Sequence, residues 1–295
     1  MFTQSTQSSI NIEAISKHRL RTVFFTLERN KIMDIISPLV IKEFLDNELK
    51  NKIQITVRNV VESTNSEVKG LALSGAQEGS VVIALEQTKG RGRMGRAFFS
   101  PNGNGVYMSI LLRPSFSPEN ATLITSAAAV AMCEAIELCG VKNAKIKWVN
   151  DIYLDDKKVC GILTQAGFSA GGKSLDYAIL GVGINVYAPA SGFPEELNGI
   201  AGFVFDEQQE NLRNKLIADF LNSFFSLYKN LLNREHIPVY RKKCFVLGEN
   251  VVIHSGEKCI DAKALDIDEN CNLLVEYDNG EKGIVGTGEI SIRLK

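Results

Sequence analysis

Lys89 to Arg113 reads K-G-R-G-R-M-G-R-A-F-F-S-P-N-G-N-G-V-Y-M-S-I-L-L-R. Its first eight residues, Lys89–Arg96, hold four cations, three glycines and no carboxylate. Glycine lets backbone N–H groups turn freely and approach a ligand closely. Arginine carries a planar fork of donors that fits phosphate oxygens two at a time. The combination suits a loop that closes over a polyanion. Apolar runs flank it, Ser80–Leu85 before and Val106–Leu112 after. Both read as buried strands, so the loop hangs between two strands of a sheet.

Gly90, Gly92 and Gly95 satisfy the G-x-G-x-x-G spacing. The dinucleotide fold needs a helix directly after those glycines and an acidic residue about 20 positions on. Here Phe98-Phe99-Ser100-Pro101 and then Asn102-Gly103-Asn104-Gly105 follow, which is turn chemistry. That reading is rejected. A solvated basic loop is the plain alternative, and the interleaved glycines weigh against it.

The chain has 295 residues, 45% of them hydrophobic, and a net charge of −1. It can bury a core and has no bulk attraction to nucleic acid or membrane. Six scattered cysteines without a C-x-x-C pair argue against a zinc ribbon or disulfide framework and for a reducing cytoplasm. The longest uncharged apolar run, Asn120–Cys133, is shorter than the roughly 20 residues of a membrane span.

Pro38 to about Leu49 reads as an amphipathic helix and Ile53–Val57 as a strand. Ser63, Thr64 and Asn65 are good helix caps ahead of a helical Ser66–Ser74. Ser117-Pro118 opens a nearly apolar helix that ends before Gly140. Ala144–Val149 reads as a strand, and a hairpin through Asp155-Asp156-Lys157 leads to the strand Val159–Gln165. Leu175–Leu180 is another strand, ending in G-V-G-I-N-V. Asn211–Asn233 has the apolar spacing of a long helix. From Phe245 on, short strands and the Asp278-Asn279-Gly280 hairpin signal read as a small β-barrel. Lys158 enters an otherwise apolar strand, where a lysine either snorkels outward or meets an anion.

The loop G-R-G-R-M-G-R-A-F-F-S-P-N-G-N-G-V-Y-M-S resembles the adenylate-binding loop of bacterial biotin–protein ligases. Four further segments match that family in order: Glu62–Asn65, Lys147-Trp148-Val149-Asn150-Asp151, Lys157–Leu163 and Gly181–Asn185. The resemblance covers about residue 38 to the C-terminus. It implies an α+β fold, a class II aminoacyl-tRNA-synthetase-like biotin–lipoate ligase domain with helices on one face of a mixed sheet. An SH3-like barrel follows. The expected divisions are an N-terminal extension over 1–37, the catalytic domain over 38–243 and the barrel over 244–295.

The resemblance also implies a reaction: biotin and ATP give biotinyl-5′-AMP, which acylates a lysine of the biotin carboxyl carrier protein of acetyl-CoA carboxylase. The family's biotin contacts fall on Ser63, Thr64, Asn65, Gln87, Arg91, Gly92, Arg93, Lys158 and Gly161. Its nucleotide contacts fall on Arg91, Arg93, Arg96, Phe98, Asn150 and Asn185. Catalysis would rest on Lys158, Arg91, Arg93, Lys147 and Asp151, with Asp151 helping to hold ATP-bound Mg²⁺. Larger members carry an N-terminal winged helix-turn-helix of roughly 60 residues. It does not fit in 37, so no DNA target is expected. No membrane contact is expected, and monomer and homodimer both stay open. Val149, Phe98 and Met94 depart from the family's usual proline, tryptophan and polar residue. A lipoate ligase, a repressor and a non-enzymatic binding module are the alternatives.

Overall fold

The computed structural model describes residues 34–169, 171–172, 174–255, 258–286 and 290–294. The expectations for residues 1–33 lie outside that range. A first helix, α1, spans Pro38–Phe44, and a single turn, α2, spans Asn47–Lys50. The expected continuous helix breaks at Leu45, whose backbone is extended. Strand β1 (Gln54–Val61), helix α3 (Thr64–Leu73), β2 (Ser80–Gln87) and β3 (Gly105–Leu112) follow. Helix α4 (Thr122–Leu138), β4 (Lys145–Lys147), β5 (Asp151–Leu154), β6 (Lys157–Phe168) and β7 (Leu175–Asn185) complete the first sheet. Its order is β1-β2-β3-β7-β6-β5-β4. Only β1 and β2 run parallel.

Helices α4 and α5 (Leu212–Lys229) pack together over one face of this sheet, with α1 against α5. α4 lies within the helical stretch Pro118–Leu138, which is long and apolar enough to cross a membrane, but it is largely buried. Among the described residues, helix α3 occupies the other face, where the expectation placed no helix, and its Val68 and Ala72 meet Val82, Leu111, Tyr177 and Ile179. Neighbouring residues Val81, Ile83, Ile110 and Leu180 face the large helices, as strand alternation requires.

Residues ahead of the expected boundary at 38 pack against the unit built on the first sheet. Asp34 and Ile36 are buried. Asp34 accepts from the Tyr187 hydroxyl at 2.6 Å and pairs with Arg213 at 3.1 Å. The Ser37 N–H donates to Asn214 Oδ1. Asp34–Ser37 is thereby tied to Tyr187 and to the start of α5.

The expected helix 211–233 ends at Lys229, and a further helix, α6, spans His236–Lys243. Its Pro238 hid it in the sequence, yet proline is tolerated in a first turn, where N–H groups have no intrahelical partner. The C-terminal strands are β8 (Asn250–Ser255), β9 (Lys258–Ile267), β10 (Leu273–Tyr277), β11 (Lys282–Val285) and β12 (Ile290–Leu294). They form a small antiparallel sheet in the order β11-β10-β9-β8-β12. The expected strand Lys282–Ile292 is thus two strands, pairing with β10 and β8 respectively.

Candidate active site

A cavity of about 670 Å³ opens on the α3 side of the sheet, beyond the helix. Its floor is β6 and β7, where Gly161 pairs with Gly183 and Leu163 with Gly181. Side chains lie where these glycines have none. A Cβ on Gly181 would sit 2.1 Å from Asn65 Oδ1, and one on Gly183 2.6 Å from the Phe98 ring.

Ser63, Thr64 and Asn65 form the start of α3 and are all buried. Ser63 stands at the capping position, but its hydroxyl makes no capping hydrogen bond. The Thr64 backbone N–H donates to Gln87 Oε1 at 2.9 Å, and the Thr64 hydroxyl lies 3.1 Å from the same oxygen. Asn65 Nδ2 donates to Gln165 Oε1 at 2.8 Å. The Thr64 and Asn65 side chains also meet Ser109 of β3. Gln87 Nε2 donates to Ser100 Oγ, just past the glycine–arginine loop.

That loop folds on itself rather than hanging open. Phe98 N–H donates to Gly90 O at 2.9 Å, and Gly92 N–H to Arg96 O at 2.7 Å. Gly90 has no room for a side chain, since a Cβ would lie 2.3 Å from the Phe98 carbonyl oxygen. Arg93 Nη1 donates to Asn150 Oδ1 at 3.1 Å, and Asn150 Nδ2 donates to Ile162 O. Burial pushes the Arg93 pKa down, and the nearby Asp151 carboxylate opposes that.

Lys158 Nζ lies 2.7 Å from Asp151 Oδ1, with both side chains partly buried. That oxygen has no aligned hydrogen bond, so the contact is an ion pair by charge and distance. The Lys158 backbone donates to Ile200 O and accepts from Gly202 N–H. This fixes the segment carrying Leu197 and Ile200 as one wall of the cavity. Lys147 sits 5.7 Å above the Tyr153 ring. Burial and the Asp151 charge push the Tyr153 pKa up to about 12. Behind the Trp148–Asp151 turn, the Trp148 indole N–H donates to Cys271 O in the turn between β9 and β10. The Tyr240 hydroxyl donates to Val149 O.

Of the residues expected at the site, Asn185 alone does not line this cavity. It is buried at the end of β7 and donates to Gly202 O, so it bears on the wall carrying Ile200. Sequence reasoning missed Ser109, Gln165, Tyr153, Leu197 and Ile200. Only Ser109 carried a signal, as the one polar residue among Val106–Leu112 apart from the Tyr107 hydroxyl. A larger cleft, about 940 Å³, lies at the far end of β2 and β3. There Lys52 and Lys229 neutralise Glu48, and none of the residues above takes part.

The sequence matches the model of the biotin/lipoate A/B protein ligase family over residues 57–185 and that of the biotin protein ligase C terminal domain over 246–293. The bifunctional ligase/repressor BirA of Bacillus subtilis is 35% identical over 230 residues, 77% of this chain and 70% of that protein. The biotin–[acetyl-CoA-carboxylase] ligase of Paracoccus denitrificans is 34% identical over 209 residues, 66% and 82% of the two chains. The biotin protein ligase of Aquifex aeolicus, solved in complex with biotin and ATP, superposes with a TM-score of 0.67 at 28% identity. That likeness covers 82% of this chain and 99% of the other.

Proposed function

The chain belongs to the biotin/lipoate A/B protein ligase family, and we propose how its residues divide the work. It is an ATP-dependent biotin–protein ligase. A biotin carboxylate oxygen attacks the α-phosphorus of ATP, the bond to the bridging oxygen breaks, and pyrophosphate leaves. The carbonyl carbon of the resulting biotinyl-5′-AMP is then attacked by a lysine amine, and AMP leaves.

What supports the assignment of roles is the convergence of polar, neutral and cationic groups on one cavity. Ser63, Thr64, Asn65 and Gln87 offer neutral donors and acceptors, which a ureido ring needs in place of charge. Arg91, Arg93, Arg96 and Lys158 bring positive charge to the same cavity. Negative charge concentrates at phosphorus in the transition state, so preorganised cations act there by electrostatic stabilisation. Phe98 supplies an aromatic face for adenine, and the folded loop shields the mixed anhydride from water.

Asp151 is the carboxylate available to a metal. Among the described residues no group of three His, Cys, Asp or Glu side chains is placed to hold one. The fit is to Mg²⁺ carried by ATP phosphates and water, with Asp151 as a single protein ligand. Such an ion would neutralise phosphate charge.

The carrier we assign is the biotin carboxyl carrier protein of acetyl-CoA carboxylase, following the named activity of the Paracoccus relative. We assign no DNA target, and a gel shift at physiological salt is expected to be blank. The deciding experiment is ATP–pyrophosphate exchange dependent on added biotin. Exchange that responds to lipoate and not biotin would overturn the substrate assignment.

A further inference from the structure

We infer that Asp151 competes with the ligand carboxylate for the Lys158 ammonium, and so weakens the binding of biotin before the reaction begins. This rests on the biotin reading above. Among the described residues lining the cavity, Asp151 is the one carboxylate, beside Arg91, Arg93, Arg96, Lys147 and Lys158. Its Oδ1 lies 2.7 Å from Lys158 Nζ. The two residues stand on the paired strands β5 and β6, and Asp151 is opposite Gly161. The missing side chain of Gly161 makes room for the lysine, since a Cβ there would lie 3.3 Å from Lys158 Nζ.

Asp151 Oδ1 is buried and receives no aligned hydrogen bond, so the Lys158 ammonium is the close charge that compensates it. A lysine that turns to a ligand leaves this oxygen uncompensated, and an unpaired buried charge is costly. A carboxylate that reaches the pair meets a nearly neutral couple in place of a cation. The ring contacts stand apart from this competition, because Thr64, Asn65 and Gln87 bond to one another, to Ser109, Gln165 and Ser100, and not to Asp151. When charge builds at phosphorus, the ammonium gains more than it does from a carboxylate alone, so the pair gives way in the transition state. Asp151 is thus a positioning residue acting through Lys158, and it reserves the lysine for the step at which charge is largest.

The test is calorimetric titration of the full chain, without ATP or added metal. The two ligands are biotin and its neutral analogue, in which a hydroxymethyl group replaces the carboxylate. Asp151→Asn should tighten biotin about tenfold and leave the alcohol within about twofold. In a Lys158→Met background the same substitution should change biotin by less than about threefold, because the ammonium it would release is gone. Asp151→Ser carries the comparison should the asparagine variant not fold. Unchanged or weaker biotin binding in the folded variant means that the carboxylate does not compete, and overturns the inference. An equal gain with and without Lys158 also overturns it, since Asp151 would then act by its own charge. A wild type that binds neither biotin nor the alcohol overturns the functional reading itself.

Discussion

Lys158→Met removes an ammonium and keeps a flexible stem of similar size. The fold should survive, because Lys158 is tied to the 197–202 segment through its backbone N–H and carbonyl, which the substitution leaves in place. The loss falls on the charge held 2.7 Å from Asp151. A charge-assisted contact made in the transition state in a partly desolvated site is worth about 2–4 kcal/mol. At about 1.4 kcal/mol per decade, that is a fall of roughly 30- to 1,000-fold in the adenylation rate. Biotin-dependent ATP–pyrophosphate exchange reads it directly. Exchange within about threefold of wild type in Lys158→Met refutes the assignment.

Asp34→Ala leaves the buried Arg213 without its carboxylate, which should cost about 3–5 kcal/mol and lower the Tm by roughly 10 °C. An unchanged melting curve would mean that Asp34 is not part of the folded unit. Gly181→Ala places a Cβ against Asn65, which Gln165 and Ser109 hold in place. Biotin should bind about tenfold or more weakly by calorimetry, and an equal Kd would refute the tight floor. Burial lowers the His236 pKa to about 4. The unfolded side chain takes its proton near the usual value of about 6.5, so its contribution is complete above that pH and is lost as pH falls through 4. The window bounds the effect at about 3 kcal/mol. His236→Gln should flatten the fall of Tm between those two pH values, and an unaltered slope would show that another group titrates there.

Much of this was legible because local pattern and tertiary role agree. Val81–Leu85 and Val106–Leu112 lie in largely buried strands and Thr122–Leu138 is a core helix, as apolar runs bounded by turn residues imply, although the helix begins four residues after the expected Pro118. Most candidate site residues meet at one cavity because their motifs sit on strand ends and loops around it. What stayed hidden depends on distant partners. Asp34 is an ordinary charged residue until Arg213 and Tyr187, more than 150 positions away, enclose it. Helix α6 was obscured by Pro238, and the wall at Leu197 and Ile200 has no periodicity at all. Its place comes from backbone pairing with Lys158. The motif of Asn185 says nothing of its distant partner, the Gly202 carbonyl to which its side chain donates.

The position of the cavity follows from what one strand face does beyond α3. Along β7, Leu180, Val182 and Ile184 point into the main core, and alternation sends Tyr177, Ile179, Gly181 and Gly183 to the opposite face. Under α3 those positions are large and apolar, and Tyr177 and Ile179 pack against Val68 and Ala72. Past the start of the helix the same face continues as Gly181 and Gly183, while β6 places Gly161 opposite Gly183. The core face keeps its side chains without interruption, so the sheet loses none of its packing there. The ligand face loses them, and the space left is where Asn65, Phe98 and Lys158 lie. The polar network of Thr64, Asn65, Ser109 and Gln87 sits at the border between the two regimes, held by α3 on one side and open to the cavity on the other. Stability and chemistry are thereby drawn from opposite faces of the same strands. This is why the period-2 pattern that identifies β7 as buried also marks, through its two glycines, where it must be hollow.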